Sequence, residues 1–433
     1  MTPKWLGRWL LTALAALTLA TPAWAASQLW ASSQGRERVF QALVDVFQDR
    51  YWDPGWMDWQ AWAERYRASV VDATSRASFD SAMRSMVDAV HDDHSHWLGL
   101  ASYGGDATAP QEKPTIGVET AYLKGAGLVI TRVLPRSPAD KAGLRRGDVI
   151  TRVNREALDG AARWDAGLVL TRAVDAGDVA LGLRRGYKAF DRILSPALLA
   201  QRVLAEQPVA RMLDPTTGYL YLPSLNLPNT GTRFHQLLGE LEQQGATSLI
   251  LDMRGNYGGR LGQLGLVLGA FVDGSWAKAV GRSGEVWEGR YQIVDGEGVS
   301  SLLSVDGAVL EEDRVPRPVH FGGPLVVLVD GQNSSAGEVG PLALQDLGRA
   351  SVVGVRTDGN VEAVQGFTLP DGSVVMVAVA NMEGADGRAF DGGVVPTVSA
   401  HMTLDGLARG YDAPLAAAQA LLHGLPFEPG RVF

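Results

Sequence analysis

At 433 residues, 46% hydrophobic and 20% charged, the chain has the composition of an ordinary folded protein that is too long for one core, so two or three domains are expected. It contains no cysteine, which excludes disulfides, thiolate metal sites and lipid attachment through an N-terminal cysteine. The formal net charge is −9 with no basic cluster, so nucleic acid is not an expected partner.

Residues 1–25 read as a targeting segment. Lys4 and Arg8 precede the apolar run LLTALAALTLA, and Ala23-Trp24-Ala25 follows as an A-x-A-like cleavage site. The run is too short to span a bilayer. Cleavage near Ala25 would leave an exported chain, periplasmic or secreted, with no stable membrane anchor. Over 26–110 the spacing predicts helices. In RERVFQALVDVFQD (36–49), Val39, Phe40, Leu43, Val44 and Phe47 share one face at a period of 3.6. Pro54-Gly55 interrupts the pattern, which restarts with Trp59 and Trp62 three apart, a packing pair rather than a ligand cage. A further amphipathic run through Phe79, Met83, Met86, Val87 and Val90 ends at HDDHSHW (91–97). If the helix continued there, His91 and His94 would share a face and could chelate a metal. The preferred reading makes no use of a metal or any other cofactor.

The segment LVITRVLPRSPADKAGLRRGDVITRVN (128–154) combines a strand, an S-P-A-x-x-A-G-L helix and R-G-D-x-I entering a second strand. It resembles a PDZ domain, taken to span 111–190. Such domains add an extended C-terminal peptide as a strand and hold its carboxylate on backbone amides. The resemblance puts that loop at Thr115, Ile116, Gly117 and Val118.

Beyond a linker at 191–215, a core is expected over 216–405 and a closing helix within 406–433. GYLYLPSL (218–225) alternates as a strand, FHQLLGELEQQG (234–245) is helical and stops at glycine, and TSLILDMRGNYGG (247–259) is a buried strand leading into R-G-N-x-G-G. PLVVLVDGQNSSAGEVGPLALQDLGRA (324–350) reads as buried strand, tight turn and helix, with Ser335 at the turn. A serine at a helix N-terminus has backbone N–H groups facing any negative charge that develops beside it. Strands alternating with helices predict an α/β layer structure.

These core segments resemble the C-terminal processing, or tail-specific, proteases. The resemblance implies a ClpP/crotonase-like core, an N-terminal helical region and an inserted PDZ domain. It makes Ser335 the nucleophile and places the activating lysine twenty-five residues on. That position is Asn360, and no lysine follows Lys278. The substitute is His94, because D-x-H-[ST] near the N-terminus resembles the tricorn-like branch in which histidine is the base. An imidazole titrating near neutrality can take the serine proton and return it to the leaving amine. Its orienting partner is Glu362, preferred over Asp391. The N–H groups of Gly258, with Gly259 as the alternative, and of Ala336 would form the oxyanion hole. Ser335 lacks the G-x-S-x-G elbow, and no phosphate-binding glycine motif follows a strand. The expected function is an exported serine endopeptidase cleaving proteins or peptides near C-terminal tails. The alternative is an inactive protease-fold binder of peptides or other ligands.

Overall fold

The structure is a computed structural model that describes residues 29–92, 94–100, 114–123, 125–134, 136–158, 163–198, 207–357, 359–390, 392–403, 406 and 411–427. The targeting segment, Asp93 and Asp391 lie outside the described residues. The chain divides into two units, residues 1–105 with 364–378, and residues 106–363 with 379–433.

The first unit begins with helices α1 (Ser33–Arg50), α2 (Trp59–Val71) and α3 (Arg76–Asp88). Each starts on a side-chain cap: Ser32 accepts from the Gly35 N–H, Asp58 from those of Gln60 and Ala61, and Ser75 forms a capping box with Ser78. Their apolar faces meet in one core in which Phe47, Tyr51, Trp59 and Trp62 interlock at ring separations of 5.0–6.1 Å. Trp62 also donates its Nε1–H to the Met86 carbonyl at 2.8 Å, so both tryptophans serve packing. Strand β1 (His96–Gly99) pairs antiparallel with residues 374–376, and Leu369, Val375 and Val377 complete the core. The expected N-terminal helical region is present, with the short β1 near its end, and its helices close on strand residues supplied from nearly three hundred positions away. α3 stops at Asp88 and His91 has φ +57°, so the helical continuation on which His91 and His94 would have shared a face does not occur.

In the second unit, the PDZ module is a sheet in the order β2 (Val118–Leu123), β3 (Gly127–Val133), β4 (Val149–Val153), β6 (Val179–Arg185) and β7 (Lys188–Leu194). The short β5 (Glu156–Ala157) lies beside β4. Helices α4 (Pro138–Lys141) and α5 (Arg163–Ala176) accompany it, α4 capped by Ser137 with proline at its first position. The last PDZ strand and a bridge between Thr115 and Ala197 extend the module past residue 190. The expected linker over 191–215 is thus corrected, since it also contains β8 (Val209–Met212), an edge strand of the core sheet. Neither stretch has the buried alternation that marks a strand from sequence: β7 and β8 are largely exposed.

That core sheet continues through β9 (Thr217–Tyr221), β10 (Ser248–Asp252), β15 (Leu325–Val329), β16 (Ser351–Gly354) and β19 (Val398–Ser399), parallel except at β8. β10 and β15 are buried at every position, as central strands covered on both faces must be. Helices α6 (Thr230–Gln243), α7 (Leu261–Gly269), α8 (Ala336–Asp346) and α9 (Ala413–Leu422) pack on it. Antiparallel strands β11 (Gly274–Gly281), β12 (Gly284–Val294), β13 (Glu297–Ser304) and β14 (Val309–Val315) form a second layer, and β17 (Ala363–Thr368) and β18 (Val374–Glu383) follow. The last residues of β18 pair with β11. No described helix is long and apolar enough to cross a membrane.

Candidate active site

Two loops meet at the C-terminal ends of β10 and β15. The first, 254–259, leaves β10 and turns back through Gly258 (φ +101°) and Gly259 (φ +135°). The second, 330–335, leaves β15 and enters α8 at Ser335. A Cβ on Gly258 would stand 2.9 Å from the Ser335 Cβ and 3.0 Å from the Ala336 nitrogen. Only glycine allows this approach, which combines positive φ with contact too close for a side chain.

Ser335 has φ +54° and ψ −134°, a conformation that costs a residue with a side chain on the order of 1–3 kcal/mol and persists only where its surroundings over-determine it. The determinants are visible. Its N–H donates to the Asn360 carbonyl at 2.6 Å, and its own carbonyl accepts from Glu338 and Val339 at 2.7 and 3.0 Å. Asn333, fully buried, donates to the carbonyls of Met253 and Gly337 and accepts from the Asp330 N–H, tying the turn to β10 and to α8. The Ala336 N–H, at the positive end of the α8 dipole, donates to no acceptor among the described residues. The same holds for Gly259. The Gly258 N–H donates to Asn256 Oδ1 at 2.8 Å, so its use for an oxyanion requires exchange of that acceptor.

Glu338, three residues after Ser335, has no role that its local sequence reveals. Glu338 is fully buried and accepts from the Gly359 and Asn360 N–H groups, each at 2.8 Å, and from the Thr357 hydroxyl. It fastens Thr357, Gly359 and Asn360 to α8, and this brings the Asn360 carbonyl to Ser335. The Asn360 side chain occupies the lysine position of the sequence pattern, and its Oδ1 is buried without a hydrogen-bond partner. Glu362 follows two residues later, half-buried.

His94 belongs to the first unit and is 9% exposed. Its turn is set by Asp92, whose carboxylate accepts from the His94 and Ser95 N–H groups at 3.1 and 2.7 Å and from the Ser95 hydroxyl at 2.5 Å. Asp92 is the first residue of the D-x-H-S spacing, and a buried aspartate that caps its own turn accounts for that pattern. The structure thus gathers Ser335, Gly258 and Ala336 tightly, with the backbone of Asn360, inside the second unit. Among the described residues, no three histidine or acidic side chains gather where they could hold a metal ion.

Beneath the glycine loop lies a buried charge network. Arg254 bonds Asp252 through Nε at 2.9 Å and Asp412, the α9 cap, at 2.8 and 3.0 Å, while Arg146 of the PDZ module reaches the same Asp412 at 2.6 Å. Asp330 receives the Gly255 N–H at 3.0 Å, and burial raises its pKa. Burial alone would raise Asp412 as well, but the charge and hydrogen bonds of Arg254, then of Arg146, outweigh it and hold Asp412 at about 2. A carboxylate depressed from about 3.8 to about 2 contributes roughly 2 kcal/mol of stability, fully present above pH 4 and lost as pH falls through 2. Urea unfolding between pH 5 and 2 should therefore lose less stability in Asp412→Asn than in wild type. Equal slopes would contradict the assignment.

A cavity of about 850 Å3 lies between the PDZ module and the core. Ile116 and Val118 line one part and Tyr257, the residue before Gly258, another. Ile116 is buried, and Gly117 (φ +80°) lets the loop turn into β2 while its carbonyl accepts from the Leu134 N–H. β2 is the terminal strand of its sheet, so its outer edge can take another strand.

Residues 216–400 match the model of peptidase family S41, and residues 129–165 match that of a PDZ domain. The chloroplastic C-terminal processing peptidase of Tetradesmus obliquus is 31% identical over 284 residues, which cover 62% of this chain and 56% of that protein. The carboxy-terminal processing protease CtpA of Bacillus subtilis (strain 168) is 25% identical over 326 residues, 75% of this chain and 64% of that one. The chain thus spans less than two thirds of the length of these relatives. The solved structure of the photosystem II D1 C-terminal processing protease has a TM-score of 0.57 at 24% identity, covering 86% of this chain and 96% of its own, a likeness of fold. An α/β core with a serine turn, an N-terminal helical region and a PDZ module is the S41 protease architecture. These matches support the C-terminal processing protease superfamily.

Proposed function

We propose that this protein is an exported serine peptidase that cleaves proteins or peptides near C-terminal tails held by its PDZ module. The observation that carries the proposal is Ser335 itself: a serine in a high-energy backbone conformation, capping a helix whose first N–H is uncommitted, with a glycine pressed against it. Ser335 Oγ would attack the carbonyl carbon of the scissile amide. The base would take its proton and deliver it to the amine nitrogen as the C–N bond breaks, and water would then hydrolyse the acyl ester. The developing oxyanion would be received by the N–H groups of Ala336 and Gly258. The base, His94, and its orienter, Glu362, are assigned from sequence motifs. Export rests on the N-terminal segment, and a mature protein beginning at residue 26, read by mass spectrometry of the native N-terminus, is its expected signature.

The test is chemical. A fluorophosphonate probe should label Ser335, located by tandem mass spectrometry, and labelling should fall sharply in His94→Ala. Asn360 at the lysine position favours one other reading, a binding protein that kept the protease fold. A preparation that binds C-terminal peptides yet takes no label at Ser335 would support that reading instead.

A further inference from the structure

The wall of the 850 Å3 cavity carries four arginines, and three of them are committed to carboxylates. Arg132 bonds Glu119 at 3.1 Å, Arg146 bonds Asp412 at 2.6 Å, and Arg254 bonds both Asp252 and Asp412. Arg211 differs. Its guanidinium lies over the Tyr219 ring, 5.1 Å from the centroid, and it has no carboxylate partner among the described residues. Tyr219 is fixed in turn, its hydroxyl donating to Asp252 Oδ2 at 2.7 Å. A cation over a ring face is positioned without using its N–H donors on an acceptor, and Arg211 donates to no acceptor among the described residues. Arg211 also sits on β8, at the open edge of the core sheet.

We infer that Arg211 is a specificity determinant, receiving an aspartate or glutamate side chain of a polypeptide tail whose C-terminus lies in the PDZ loop at 115–118. The tail is the occupant because that loop and Arg211 line the same cavity, and a forked guanidinium matches a carboxylate with two parallel bonds. Asp175, on the α5 wall, also lacks a partner among the described residues. Among the described residues that line the cavity, Arg211 and Asp175 are thus the two charged side chains without a hydrogen-bond or ion-pair partner, so the position of an acidic residue along the tail matters more than the tail's net charge. The inference rests on the peptidase reading for its kinetic test but not for its binding test.

The binding test uses full-length Ser335→Ala protein and fluorescein-labelled peptides with a free apolar C-terminus, carrying glutamate, glutamine or lysine at successive upstream positions. Fluorescence anisotropy should find one position where glutamate binds about threefold to tenfold more tightly than glutamine, an advantage that shrinks with added salt. Arg211→Gln should erase that preference, Arg211→Lys should keep part of it, and Arg211→Glu should shift it to lysine. No glutamate-preferring position, or one that survives in Arg211→Gln, overturns the inference. With the Ser335 enzyme, the glutamate peptide should show a lower KM at similar kcat. Cleavage with equal KM for glutamate and glutamine would sink Arg211's role and leave the peptidase reading standing. A charge preference without any cleavage would do the reverse.

Discussion

Ser335→Ala is expected to lower kcat/KM on an unfolded polypeptide by at least about a thousandfold. The methyl group keeps the backbone contacts of Ser335 with Asn360, Glu338 and Val339, so the fold should be unchanged and the loss chemical. His94→Ala should lose almost as much, because an alcohol at neutral pH is a poor nucleophile without a base. Glu362→Ala should lose less, as expected of an orienting group. The backbone gives an independent check. At φ +54° and ψ −134° glycine is nearly free of the strain that serine or alanine bears, so Ser335→Gly should unfold at higher urea than Ser335→Ala, by roughly 1 kcal/mol. Turnover by Ser335→Ala at an undiminished rate would end the peptidase proposal, while a less stable glycine variant would contradict the strain argument.

Glu338→Ala should destabilise the protein by on the order of 3 kcal/mol and abolish most activity. Its carboxylate is fully buried and accepts from three donors, the N–H groups of Gly359 and Asn360 and the Thr357 hydroxyl. Hydrogen bonds to a charged group contribute about 1.5–3 kcal/mol each, and donors stranded in the interior cost more than the bonds themselves. Gly359 and Asn360 would loosen, and with them the Asn360 carbonyl that receives the Ser335 N–H. Glu338→Gln should fall between, since an amide offers one acceptor oxygen where the carboxylate offers two. Circular dichroism in urea, paired with fluorophosphonate labelling rates, measures both effects. A Glu338→Ala protein with wild-type midpoint and labelling would show that Gly359 and Asn360 hold their place without it.

The elements were legible where a face is buried with regular period. Val39 to Phe47 announces α1, the continuous apolar runs announce β10 and β15, and S-P-A-x-x-A-G-L announces α4 with its proline at the first position. The serine turn was legible because a strand, two serines and a helix succeed one another within a dozen residues. What escaped depends on side chains meeting across long separations. Asp412 looks like a helix cap, which it is, yet it also joins Arg146 and Arg254, 266 and 158 positions away. Glu338 resembles any first-turn acid until its partners, about twenty residues on, are known. β7 and β8 were hidden because these edge strands bury almost no side chain. The histidine cluster left a conditional reading open because local spacing cannot show that α3 ends at Asp88.

The aromatic interlock of the first unit makes it an internal optical reporter. Tryptophans 30, 52, 56, 59, 62 and 97 lie in that unit, while only 164, 276 and 287 lie in the second. Intrinsic emission will therefore be weighted toward melting of the helical unit, with Trp276, in the same apolar cluster as Ala336, reporting on the second. Comparing emission with circular dichroism during denaturation should show whether the two halves lose structure in one cooperative step or in sequence.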